Sequence, residues 1–412
     1  MDAATRQIAF VNLAHVFTHY GLLILATAVL AMVVQEGAGF GTVYGPILAL
    51  GTGMFVVYGL GSLPMGWIAE RIGRPVLMLG FFLGTGAGMA LAGMAPGPWT
   101  LAGAMFVMGA FSAIYHPIGT AMLVDAAGAR VGAAVGVNGV FGNLGVALAP
   151  IVTAAVAAAF SWRWAFILPG LLCIASGLLY WANGLTDVAR AKAASRPFPT
   201  IPPAVVRRAV IVLLCIATTS GFVFNGFTLL LPKLMQERLA GSPDLLPVVG
   251  VLAFFVTLFG GLTQFTVGRL IDRNTLKRVF MPLALVQMPA LLLLTQLSGW
   301  PVLVVAALVC ASVFGQVTVN ETMTARYVAP ALRAKLYSIR FSVGFLGAAM
   351  ASPLVGWLHD LYGGSGAVLA VLGVFATVTL ACALFFPDRK EELQPELWVQ
   401  SAPPRGVPAP AE

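Results

Sequence analysis

Long apolar runs separated by short polar breaks organise the chain from end to end. The runs cover residues 8–33, 42–69, 76–94, 99–124, 131–159, 162–183, 208–234, 246–271, 279–297, 301–328, 335–358 and 366–386. About 20 apolar residues in a helix, rising 1.5 Å each, cross the hydrocarbon of a bilayer. Backbone polar groups find no water there, so each run must satisfy its own hydrogen bonds as a helix. The pattern therefore predicts an all-α membrane protein with twelve transmembrane helices. Runs longer than 25 residues imply tilt or ends that project beyond the hydrocarbon. The first run is too long for a signal-peptide core and is read as a retained span.

Composition and charge sharpen this picture. The 412 residues are 59% hydrophobic and only 9% charged, whereas a soluble domain is about 25% charged. A soluble enzyme of this length could not cover its surface and is excluded. The net charge of +8 does not point to nucleic acid, because the basic residues sit in the breaks between runs and form no nucleic-acid-type block. If the N-terminus faces inward, 19 of the 23 Lys and Arg residues lie on the inner side and 3 on the outer, which places both termini in the cytoplasm. The four cysteines (Cys173, Cys215, Cys310 and Cys382) lie in apolar runs without a CxxC pair and read as packing residues. The longest internal break, 185–207, is basic and proline-rich and reads as a cytoplasmic linker. It separates an N-terminal six-helix bundle (1–184) from a C-terminal one (208–387), and a disordered cytoplasmic tail is expected over 388–412.

The two halves echo each other. Gly66-Trp-Ile-Ala-Glu70-Arg71-Ile-Gly-Arg74 and Gly268-Arg-Leu-Ile-Asp272-Arg273 both run Gly, three residues, acid, Arg, and their glycines and acids are each offset by 202 positions. Arg130 to Pro150 and Arg333 to Pro353 share a spacing of 20. An even number of spans per half makes this a parallel repeat. The doubled loop resembles the signature between helices 2 and 3, and its echo between helices 8 and 9, of the major facilitator superfamily. Glu70 stands where Asp is usual, and the second copy lacks the later Gly-Arg pair. Tyr115-His116-Pro117 and Gly142-Asn143-Leu144-Gly145 with Ala149-Pro150 are similar to the fosmidomycin-resistance branch. That resemblance implies proton-driven export of a drug or small anion from a bacterial inner membrane. It also implies a cytoplasmic latch made by Gly66, Glu70, Arg71, Arg74, Gly268, Asp272 and Arg273. The plainer reading of the fifth-helix glycines is close helix packing.

Charge inside a span is costly and marks a pathway or a pair. In the superfamily, helices 1, 4, 7 and 10 line the central cavity. His15 and His19 share a face of the first run; the fourth holds Tyr115 and His116; the fifth, Asn138; the seventh, Asn225; the tenth, Asn320 and Glu321; and the eleventh, Arg340. With Tyr20, these are the expected substrate-binding residues, and Glu321 or His116 the expected proton-coupling group. Each also has a structural reading, as a helix-to-helix hydrogen bond, an ion pair or a solvated mouth. Arg340 favours an organic anion, whose carboxylate or phosphonate oxygens fit its fork, and it would repel a metal cation unless Glu321 neutralises it. The expected partners are the lipid bilayer, a small-molecule substrate and protons, with the chain a monomer, no resident metal and no cofactor beyond the proton gradient. No GxxxxGK[ST] motif occurs, so nucleotide-driven pumping has no support. Two alternatives stand beside this reading: a copper or zinc transporter using His15, His19, His116 and scattered methionines, and a non-transporting membrane receptor.

Overall fold

The computed structural model describes residues 2–35, 39–127, 131–185, 187–188, 198–240, 245–394 and 396–400. Its twelve helices long and apolar enough to cross a membrane are α1 (Ala3–Gln35), α2 (Tyr44–Gly61), α3 (Arg74–Gly93), α4 (Pro98–Ala127), α5 (Ala134–Ala159) and α6 (Trp162–Ala182), followed by α7 (Pro203–Leu239), α8 (Leu246–Ile271), α9 (Leu276–Leu294), α10 (Pro301–Tyr327), α11 (Ile339–Tyr362) and α12 (Ser365–Phe385). Large apolar side chains such as Phe106, Trp181, Phe255, Leu262, Val304 and Val374 point outward, as a lipid-facing surface requires.

Each half repeats the same packing scheme. In the first, α1 packs on α5, α3 on α4 and α6, and α2 on α4. In the second, α7 packs on α11, α9 on α10 and α12, and α8 on α10. The halves meet through α5 against α8 and α2 against α11, contacts that the repeat exchanges with each other. Small residues allow these crossings. A Cβ on Gly45 would stand 2.7 Å from the Gly356 backbone, and one on Gly356 would stand 2.5 Å from Gly45 Cα. Backbones this close exclude any side chain at either position.

Several boundaries differ from the sequence expectation. The run 42–69 is not one helix: α2 ends at Gly61, and a separate amphipathic helix, Met65–Ile72, follows Pro64. That short helix stops at Gly73, whose φ of 87° suits glycine. α1 and α7 begin before their apolar runs, at Ala3 and Pro203.

The larger difference is the tail. Residues 401–412 and much of the linker, 189–197, lie outside the described residues. The stretch after Pro387, expected as disordered, folds back instead. Trp398 is 2% exposed and packs edge-on to Tyr327, with ring centroids 6.1 Å apart. The Glu392 carboxylate accepts from Tyr327 Oη (2.5 Å) and the Leu276 backbone N–H, and lies 3.7 Å from Arg326. Its polar, proline-rich composition hid these two anchors. Burial pushes the Glu392 carboxyl above the usual carboxylate range, with the hydroxyl, amide and guanidinium partly opposing that shift. Trp398→Ala should cost about 3–5 kcal/mol, as removal of a buried aromatic does, and lower the melting temperature in detergent by several degrees. An unchanged melting curve would show that the tail does not pack there.

A histidine cluster and an ion pair as the candidate functional site

The start of α1, the end of α12, the loop helix Met65–Ile72 and the α8–α9 loop lie at one end of the bundle, here called the basic end. The polar centre lies between this end and the opposite, far end. It starts with α1, whose i, i+4 spacing puts His15 and His19 on one face. Their Nε2 atoms are 3.1 Å apart. His15 Nδ1 donates to the Asn138 carbonyl of α5 (2.7 Å), which turns its Nε2 lone pair toward His19. A Cβ at Gly142 would stand 2.5 Å from His15 Cε1, so this fifth-helix glycine makes room for the ring. The Asn138 side chain donates to Asn12 Oδ1 (2.9 Å) and exchanges a hydrogen bond with Tyr115 Oη (2.9 Å). Tyr115 in turn stacks on His15, with ring centroids 4.7 Å apart.

His116 joins from α4. Pro117 has no N–H for the helix ladder, and the backbone there takes a π-helical turn over Tyr115–Gly119. One ring nitrogen from each of His15, His19 and His116 lies within 4.8 Å of the others, with His15 buried and the other two partly so. On its other side His116 stacks on Phe341 of α11, centroids 4.9 Å apart, which joins the two bundles.

Arg340 precedes Phe341 and holds its guanidinium 5.4 Å from that ring. It forms an ion pair with Glu321 of α10 and also reaches Thr324 Oγ1 (3.4 Å). The Arg340 side chain is 11% exposed and that of Glu321 41%. A carboxylate this open, near the basic end of α10, fits contact with water rather than lipid. The histidine cluster, Phe341 and the ion pair thus form one contiguous row of side chains between the bundles.

Other expected site residues lie apart from it. Tyr20 faces α5, with its hydroxyl 3.5 Å from Thr153. Asn225 donates to its own helix at Gly221 O (2.8 Å). Asn320 Oδ1 is buried and makes no hydrogen bond among the described residues. The expected latch is also arranged differently. Glu70 and Asp272 are exposed and make no ion pair among the described residues. Arg71 lies over the Trp67 ring at 3.6 Å. Arg74 binds Asp125 (2.6 Å) and Asp187 (2.6 Å), tying together the basic ends of α3, α4 and α6. Side chains at Gly66 or Gly268 would meet nothing within 4 Å.

A network at the far end was not among the expectations from sequence. His359 of α11 faces Glu237 Oε1 (2.5 Å) and Asp360 Oδ1 (3.0 Å), and Asp360 Oδ2 accepts from the Gly45 N–H of α2 (2.8 Å). Lys233 and Ser365 also approach Glu237. This set holds α2 against α7, α11 and α12. His359 is the fourth histidine, and its neighbouring acid at 360 was the available signal.

Two packed repeats of six spans with a polar centre between them define a multi-pass membrane protein built as a twofold repeat. The chain belongs to the Major Facilitator Superfamily, whose family model matches residues 8–261 and 246–406. Solved structures share the fold. A bacterial homologue of the human lysosomal transporter Spinster, inward-facing and unoccupied, aligns over 99% of this chain and 100% of its own at 13% identity, with a TM-score of 0.67. A POT family transporter in complex with 5-aminolevulinic acid aligns over 92% and 95% at 15% identity, with a TM-score of 0.72. No curated protein matches the chain.

Gly142→Ala removes no polar group but should displace the His15 ring, at an overpacking cost of about 1–3 kcal/mol. Transport in proteoliposomes should fall while the protein still folds. Wild-type flux in this variant would show that the ring position is unimportant.

Proposed function

We propose that this transporter moves a small organic anion across the bacterial inner membrane by alternating access together with a proton, which makes uptake, not the efflux expected from the family resemblance, the direction an inward proton gradient drives. One observation carries the reading: an ion pair joins Glu321 near the basic end of α10 to Arg340 at the start of α11, with the carboxylate open and the guanidinium largely enclosed. A guanidinium keeps its charge and its fork fits carboxylate or phosphonate oxygens. An arriving anion and Glu321 compete for the same donors. Protonating Glu321 frees Arg340 for the anion, and anion release lets the carboxylate return. The proton and the anion are thereby coupled through one guanidinium.

The remaining groups have supporting roles. His15, His19, His116, Tyr115 and Asn138 supply hydrogen bonds along the cavity wall, with His116 a second proton carrier. Asn320, Asn225 and Tyr20 lie at the margins, where a substrate meets them only after rearrangement. The bundles rock about this centre. The far end is held by the His359 network and the Gly45–Gly356 crossing. At the basic end, open glycines and unpaired acids at 66, 70, 268 and 272 suit a latch that closes in the opposite state. Both termini face the cytoplasm by the distribution of Lys and Arg. The likeness of residues 109–150 to the fosmidomycin-resistance branch supports a drug-like anion as the substrate.

The test uses purified protein in liposomes with an imposed pH gradient and a panel of small carboxylates and phosphonates. Arg340→Lys keeps the charge but loses the fork, and should cut anion flux at least about tenfold, roughly the loss of a bidentate contact. Glu321→Gln should abolish uphill transport while leaving exchange. Uphill transport with an unchanged pH profile in Glu321→Gln would make that residue structural.

A further inference from the structure

The geometry points to a binding site for a late first-row transition-metal ion, formed by the imidazoles of His15, His19 and His116. Neither Arg340 nor Glu321 belongs to the ligand set, so this inference is independent of the anion reading. Ligand spacing is the first argument. Nitrogens bound to one tetrahedral ion at about 2.0–2.1 Å stand about 3.3 Å apart. One pair already lies 3.1 Å apart, and the three nitrogens fall within 4.8 Å of one another. To close the set, the farthest pair has to approach by at most about 1.5 Å.

Preparation of the ligands is the second argument. His15 donates Nδ1–H to the Asn138 carbonyl, the outer-shell bond that metal-bound histidines commonly make. Its Nε2 lone pair then faces inward, toward His19 Nε2. An ion at this point replaces the single hydrogen the two nitrogens share. Gly142 leaves the space for the His15 ring, and the π-helical turn at Tyr115–Gly119 sets where His116 points. Partial exposure of His19 and His116 leaves a way in.

Chemistry selects the ion. Three neutral imidazoles without a carboxylate suit copper, zinc or nickel, not magnesium or calcium. From sequence alone, the charge of Arg340 counts against a cation here. The structure removes that objection, because Glu321 pairs with Arg340. The ion would lie one aromatic ring, Phe341, away from the anion site, so metal and anion occupy adjoining positions in one cavity.

The test takes the full chain, purified in detergent with a histidine-free tag and stripped with chelator, then titrated separately with Zn²⁺ and with Cu⁺ under reducing conditions. At least one ion should bind at one equivalent and raise the melting temperature. His15→Gln and His116→Gln should each weaken that binding by at least about 100-fold, the upper end of what losing an outer-shell partner costs. Arg340→Lys should bind as wild type does. X-ray absorption of the loaded wild type, which needs no variant to fold, should show imidazole scattering from three nitrogens. Failure of both ions to bind, equal affinity in the histidine variants, or a sulfur- or oxygen-only shell would overturn the proposal. Loss of anion flux in Arg340→Lys with metal binding intact would leave both readings standing; metal binding without any anion flux would remove only the anion reading.

Discussion

Hydrocarbon offers no partner to a polar group, and this constraint governs the molecule. An unpaired hydroxyl or amide there costs several kcal/mol, and an isolated charge far more. Every polar side chain the spans retain must therefore be satisfied by a neighbouring helix, face water, or wait for a ligand. Asn138 takes the first course, joining α1, α4 and α5 through Asn12, Tyr115 and His15. Glu321 takes the second, with an open carboxylate on an enclosed guanidinium. The three facing imidazoles suit the third.

The same constraint explains the halves. A repeat of six helices satisfies itself internally by one packing scheme, used twice. What remains between the halves is a contact that has to break in a transport cycle. Among the described residues, hydrogen bonds cross it from the Gly45 N–H to Asp360, from Ser352 and Ser342 to the Leu48 and Gly59 carbonyls, and from Asn143 to Gln264, beside glycine crossings that bring backbones together without anchoring them. By contrast, Arg74 with Asp125 and Asp187, and Glu392 with Tyr327 and Leu276, tie helices within one half. Ion pairs inside halves, and close packing of small residues with a few hydrogen bonds between them, suit two bodies that move against each other.

Much of this was legible in the sequence because bilayer thickness imposes a length on every span and the doubled loop imposes a repeat. The shared face of His15 and His19 followed from helical spacing, and the Glu321–Arg340 pair was one of the readings open to it. Partners distant in sequence were not legible. Arg74 looked like part of a latch, yet it binds aspartates 51 and 113 residues away. Trp398 lay in a segment whose prolines and charges suggested disorder, and a single buried indole outweighs that composition. His359 drew no reading from sequence, because Glu237, its partner, is 122 residues away. Asn225 and Tyr20 had suitable residue types at suitable depths, but the rotation of their helices turns them to other neighbours.

The central claim is that one guanidinium exchanges a carboxylate for a substrate anion. Proton uptake on anion binding tests it most directly, measured with the purified protein in weakly buffered detergent and the tightest-binding carboxylate or phosphonate. The account predicts about one proton taken up for each anion bound by the wild type, and none by Glu321→Gln. Anion binding without proton uptake in the wild type, or with equal uptake in the variant, would contradict it.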